Sequence, residues 1–288
     1  MVAAYIAYKK LRPAVRSRAD DLLRRNPYYV EWERTIPAAA SPAEKRLWIF
    51  MRAATWPDEI KARDSGYIED GTDKGMRPDG ESSSQNIGYG DKLRHRYWHF
   101  VVKPFTRDGS SLPPIPGPNA QDRIHLFRAV LASTTESDDL KSYDLTWLLH
   151  LVGDVHQPLH VATRVSASQP DGDRNGSLVR LCYAPCKDEL RAFWNTILGP
   201  ETTVISAASL AKTLPSARAA DAAVLDEAIW VHESFEVAQS QAYQPPIGAG
   251  AGPFILTPAY RANAKSVARE QIALAGARLA NVLNAELK

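Results

Sequence analysis

His150, Asp154 and His160 fall within one short segment, HLVGDVHQPLH at 150–160. His150 and Asp154 stand four apart, the spacing that brings two side chains onto one face of a helix. Pro158 then interrupts the helix, and His160 follows directly. Imidazole nitrogens and a carboxylate oxygen gathered this closely are donors that suit a zinc ion. A lone His-x-x-x-Asp pair is more often a surface salt link. Here the flanking Leu151, Val152 and Val155 make the stretch too apolar for a solvated charged face. Three donors, with the Gly153-Asp154 and Gln157-Pro158-Leu159 steps between them, favour a metal centre.

The elements that must hold these donors read as helices. A chain of 288 residues, 44% hydrophobic and 24% charged, has the length and balance of a globular protein with a large core. Helical patterns cover 2–11 and 13–25, broken at Pro13. Ser41-Pro42-Ala43-Glu44 is a capping box that opens a helix towards Arg63. The polar, Gly- and Ser-rich stretch 64–90 reads as a long loop, of a length that suggests a functional rim, and 104–118 as a second loop. Helices are expected at 120–134 and 142–157, an irregular segment at 167–187, then helices at 188–198, 206–213 and 219–243. A final amphipathic helix spans about 258–287. With no repeat and no alternating strand–helix pattern, the expectation is a mainly α fold in a single domain over 1–288.

The net charge of +2 argues against strong non-specific attraction to nucleic acid, without excluding local basic patches. No apolar run approaches the roughly 20 residues needed to span a bilayer. The first 25 residues lack the shape of a signal peptide and read as core helix. Cys182 and Cys186 form an isolated C-x3-C, poor for a zinc knuckle, and are read equally as a local disulfide or two thiols.

With its surroundings, the 150–160 motif resembles the zinc-dependent nucleases of the S1/P1 type, single-strand nucleases and 3′-nucleotidases that share a helical fold with the trinuclear-zinc phospholipases C. Trp56-Pro57-Asp58 is similar to the family's Trp-x-Asp, and Tyr97-Trp98-His99-Phe100 to its Trp-His-aromatic segment. Gly172-Asp173-Arg174 resembles the start of its Gly-Asp-Arg-Gly-Gly-Asn loop. Phe193-Trp194 lies in its Leu-His-x-x-Trp-Asp segment, Trp230–Ser234 resembles its Trp-x-x-Glu-Ser, and the last helix around Ala275–Ala280 also fits. The resemblance runs nearly end to end. It implies three zinc ions, with Asp58, His99, His150 and Asp154 around the first and His160 on the second. It further implies that Asp58 orients or deprotonates the attacking water and that Asp154 bridges ions. Phe100 is expected to stack a base, Lys61 or Arg63 to face phosphate, and Ser177 to lie near substrate. His156 is not among the family's ligands and reads as a core or supporting histidine.

Three departures fall on the chemistry. The family's ligand histidine and aspartate align with Arg191 and Asn195; a guanidinium cannot bind a cation, and a neutral amide is a weak ligand. Arg191 is expected instead to fill the space or bind phosphate directly. Asn175-Gly176-Ser177 stands for Gly-Gly-Asn. The family's opening Trp-Gly-x-x-Gly-His, which holds the third zinc, is either encoded upstream of Met1 behind an export signal, the favoured expectation and one that makes the protein secreted or periplasmic, or lost; a monomer is expected. Two readings follow: a zinc-dependent nuclease acting on single-stranded DNA or RNA and 3′-nucleotides, or an impaired homologue in which one structural zinc remains and a phosphorylated ligand binds uncleaved. A phospholipase C-like activity is the weaker third.

Overall fold

The computed structural model describes residues 1–76, 85–182, 186, 188–199 and 203–288. The middle of the expected 64–90 loop (77–84) and parts of the expected irregular segment 167–187 (183–185 and 187) lie outside the described residues. Helix α1 (Val2–Lys10) and α2 (Pro13–Leu23) meet where Pro13 sets the first turn of α2. A short α3 (Tyr29–Arg34) follows, which the sequence pattern does not signal. Helix α4 (Pro42–Ala53) opens on its capping box, with Ser41 N–H donating to Glu44 Oε2 at 2.9 Å. It does not run on to Arg63. Pro57 has no N–H for the Ala53 carbonyl, so α4 ends there and α5 (Trp56–Glu59) is a separate turn.

A hairpin of β1 (Gly71–Thr72) and β2 (Gly75–Met76) follows. Strand β3 (Lys103–Thr106) stands where a loop was expected and pairs in parallel with β4 (Ala162–Val165). Between them come α6 (Ala120–Ala132), α7 (Asp138–Asp154) and α8 (Pro158–Val161). Ser137 caps α7, so it starts before the expected 142. It ends before 157, because Pro158 holds Gln157 in an extended conformation. The pair β5 (Arg180–Leu181) and β6 (Asp188–Glu189) leads into α9 (Leu190–Thr196). Then come α10 (Val204–Ala211), α11 (Ala219–Ala222) and α12 (Glu227–Val237), which ends in a π-helical turn, Ala238–Ala242. The continuous helix expected over 219–243 is interrupted because Asp226 caps α12, accepting from Ala228 N–H at 2.8 Å. The last helix, α13, spans Pro258–Glu286.

The fold is helical, as expected, and organised around α7. Every residue of α7 from Lys141 to Leu149 is buried, so the helix is covered on all sides and lies in the core. Trp56, itself fully buried, meets Tyr67, Tyr89, Tyr143 and Trp147 edge to face at 5.6–6.1 Å. Helix α1 packs closely along α13. At Gly276 a Cβ would stand 2.8 Å from the Ala3 carbonyl oxygen and 2.6 Å from Ile6 Cβ, so only glycine permits this approach. Cys182 and Cys186 are joined as a disulfide. No helix among the described residues is long and apolar enough to cross a membrane.

Candidate metal centre

Four elements deliver the centre. Helix α7 carries His150 and Asp154 one turn apart at its C-terminal end. Asp58 comes from α5, anchored by buried Trp56 two residues earlier. His99 ends a 3-10 turn, Arg96–His99, whose Trp98 is buried and stacked on the His95 ring at 3.5 Å. His160 sits in α8.

The side chains converge. His99 Nδ1 lies 2.9 Å from Asp154 Oδ2 and 2.9 Å from His150 Nε2, and His150 Nε2 lies 3.0 Å from Asp154 Oδ2. Asp58 Oδ1 is 3.9 Å from His150 Nε2, and one ligand atom each from Asp58, His99 and His150 falls within 4.8 Å of the others. The other Asp154 oxygen faces His160 Nδ1 at 3.2 Å, so this carboxylate touches three histidines. His160 Nδ1 also lies 3.1 Å from the His99 carbonyl oxygen.

The donor chemistry fits a divalent metal. His150 Nδ1–H donates to the Ala54 carbonyl at 2.8 Å, which turns the Nε2 lone pair towards the cluster. Ionised Asp154 offers only acceptors. A carboxylate and two imidazoles at these distances need positive charge between them, supplied by a metal ion or by a proton on an imidazole. Ligand atoms around one zinc ion stand roughly 3.3 Å apart in a tetrahedral site, close to the observed spacings. Electrostatics run the same way. Burial resists the Asp154 charge, but His150 and His160 outweigh it and hold the carboxyl well below its usual range. Burial and then the Lys61 charge push His99 down to about 3, leaving it neutral as a ligand must be. His150 differs: its burial is outweighed by Asp154 and Asp58 and its pKa rises, so a metal ion there competes with a proton for Nε2.

A cavity of about 570 Å³ opens over the cluster, lined by Asp58, Lys61, Phe100, His150, Asp154, His160, Arg191 and Asn195. Lys61 Nζ reaches Asp58 Oδ1 at 2.7 Å. Arg191 Cζ lies 4.9 Å from the Phe100 ring centroid, so a guanidinium already covers the ring expected to stack a base. Its Nη1 and Nη2 donate to Asp73 Oδ2 at 3.3 and 3.2 Å. Asn195 Oδ1 accepts from Gln157 Nε2 at 2.6 Å. Gln157 Oε1 in turn caps α8 by accepting from Leu159 N–H. Ser177 and Arg63 do not line this cavity. Ser177 Oγ is buried without a hydrogen-bond partner among the described residues, and Arg63 is exposed. His156 is a core histidine: its Nδ1 bonds the Val152 carbonyl at 2.7 Å and its Nε2 accepts from Arg278 at 3.1 Å.

The sequence pattern missed Asp73, the Ala54 carbonyl and the Gln157–Asn195 contact. Asp73 carries no local signal, because it lies in a polar loop and meets Arg191 only across the fold. Gln157 was visible as part of the motif, but its partner is 38 positions away.

No curated protein matches this sequence. A family comparison matches along its entire length, residues 1–288, and that family is of hydrolases acting on phosphoester bonds. The chain belongs to the S1/P1 nuclease family.

Proposed function

We propose that this protein is a zinc-dependent phosphodiesterase that cleaves single-stranded nucleic acid and 3′-nucleotides. The observation that carries the reading is the meeting of His99 Nδ1, His150 Nε2 and Asp154 Oδ2 within 3.0 Å of one another under a cavity of about 570 Å³. Asp58, His99, His150 and Asp154 hold the ion, and His160 extends the donor set on the far side of Asp154. A zinc ion held there supplies Lewis acidity, drawing electron density from a phosphoryl oxygen and making water a stronger acid. Asp58, exposed at the cavity and paired with Lys61, orients the attacking water. Lys61 faces the phosphate. The ends of the chain pack together through α1 and α13, which supports one nuclease-like unit over 1–288. The Cys182–Cys186 disulfide supports an exported location.

The test is hydrolysis of single-stranded DNA, RNA and a 3′-nucleotide before chelation, after it, and after zinc is restored. Activity should vanish with chelation and return with zinc, and Asp154→Asn should abolish both binding and turnover. Undiminished hydrolysis after complete zinc removal would overturn the reading.

A second reading has its own observation. Arg191 and Asn195 are committed to Asp73 and Gln157, and neither adds a metal donor beside His160. On this reading the zinc at Asp58, His99, His150 and Asp154 is structural, and a phosphorylated ligand binds uncleaved. Full zinc loading with no hydrolysis of any of the three substrates would favour it.

A further inference from the structure

The face of Phe100 is occupied from within the molecule. Arg191 Cζ stands 4.9 Å from its centroid, and the His160 ring stands 4.7 Å away, tilted by 40°. A guanidinium is flat and delocalised and stacks on an aromatic ring much as a nucleobase does. The arginine backbone is fixed at the start of α9, where Arg191 N–H donates to the Gly176 carbonyl at 3.4 Å and Leu190 N–H to the Val179 carbonyl at 2.9 Å. Gly176 has φ +81°, and a Cβ there would stand 3.2 Å from Leu159 Cδ1, so the loop lies close against this support. The side chain is only 19% exposed.

Both terminal nitrogens of that guanidinium grip a single oxygen, Asp73 Oδ2. Asp73 lies in the turn between β1 and β2, and its neighbour Lys74 reaches Asp171 at 3.7 Å. The N–H groups that hold this carboxylate oxygen are the same ones with which arginine holds phosphate oxygens. The guanidinium lines the same cavity as Lys61, His160 and the metal donors. A cation here, with a carboxylate borrowed from a hairpin tip, is arranged to exchange one anion for another.

We infer that Arg191 binds phosphate in this cavity alongside Lys61, that Asp73 holds the phosphate position at Arg191 as an internal anion until a ligand displaces it, and that Arg191 takes the place of a base on Phe100. The ligand class is a phosphate group, free or as a monoester, recognised without a stacked base at this ring. The inference rests on the cavity being the phosphoester site proposed above, but its readout is binding and needs no turnover.

The experiment is a calorimetric titration of inorganic phosphate into the zinc-loaded protein, with zinc content measured on every variant. Arg191→Gln should weaken binding roughly tenfold or more, the worth of a charge-assisted hydrogen bond. Asp73→Asn should tighten it several-fold, and that gain should vanish in the Asp73→Asn/Arg191→Gln double variant. A gain that persists in the double variant would mean Asp73 acts only as a nearby negative charge, and would overturn the inference. A nucleoside monophosphate and the matching nucleoside complete the set. The monophosphate should depend on Arg191, while the nucleoside should bind only once Arg191→Ala bares Phe100. Tighter binding of the monophosphate than of inorganic phosphate assigns the site to an ester; equal binding assigns it to the free ion. A nucleoside that binds the unaltered protein as well as its monophosphate would refute the proposal. Arg191-dependent phosphate binding without hydrolysis would leave this inference standing while the enzymatic reading fails.

Discussion

Removing Glu233 should harm this protein more than removing the arginine it pairs with. Arg278, on α13, is fully buried, and donates through Nη1 to Glu233 Oε2 at 2.6 Å and through Nη2 to Oε1 at 3.1 Å. It also donates to His156 Nε2 and to the Asp221 carbonyl, both at 3.1 Å. Glu233 is different, since its side chain is 40% exposed. Glu233→Ala therefore strands a guanidinium for which no other described carboxylate lies within ion-pair reach, and an uncompensated buried charge costs about 3–5 kcal/mol. Arg278→Met removes the charge, keeps most of the stem's volume and lets Glu233 turn to water. What remains is the donor lost to His156 Nε2 and to the Asp221 carbonyl, about 1–3 kcal/mol. Urea unfolding of the chelator-treated variants, compared by midpoint and slope, reads the order directly. If Arg278→Met proves as destabilising as Glu233→Ala, the reasoning from burial asymmetry is wrong.

His156 gives a pH test of the same neighbourhood. Burial, with Arg278 adding to it, pushes its pKa from 6.5 to about 3. The folded protein thus refuses a proton that the unfolded chain accepts, so stability is full above pH 6.5 and falls on acidification by about 1.4 kcal/mol per unit from this group; denaturation curves of His156→Gln should lack that component. Gly276→Ala should lower Tm: alanine gains about 1 kcal/mol of helix propensity, but its Cβ meets the Ala3 carbonyl and Ile6, an overpacking that costs about 1–3 kcal/mol and cannot relax by turning a side chain. A higher Tm would mean that α1 shifts freely on α13. Restoring donors through Arg191→His with Asn195→Asp should raise the zinc found per chain by elemental analysis; unchanged content would show that those positions do not limit metal binding.

The residues of the candidate metal centre were legible because each lies in a compact local pattern. His150 and Asp154 share a helix face, and Trp56-Pro57-Asp58 and Trp98-His99 each couple a buried aromatic to a donor, so the anchor and the chemistry are read together. Helix ends were less legible. Pro57 ends α4 and the Asp226 side chain caps α12, so one residue outweighs a pattern that would otherwise run on. The pairing of β3 with β4 was invisible, since two four-residue strands far apart in sequence carry no shared signal. The covering of Phe100 was equally hidden: Arg191 could be placed near the site by alignment, but its stacking depends on Asp73, which no motif points to.

That pairing of β3 with β4 has a consequence for how the gene can vary. Lys103 stands opposite Ala162, and just before the ladder Val101 N–H donates to the His160 carbonyl at 2.9 Å. The two donor-bearing segments are thereby indexed to each other like teeth on two racks. Adding or deleting one residue between His99 and Lys103, or between His160 and Ala162, would advance one rack by a tooth and turn a donor away from Asp154. Length changes at 107–116 or 167–171 fall beyond the last matched pair, and the polypeptide can absorb them there without altering the candidate metal centre.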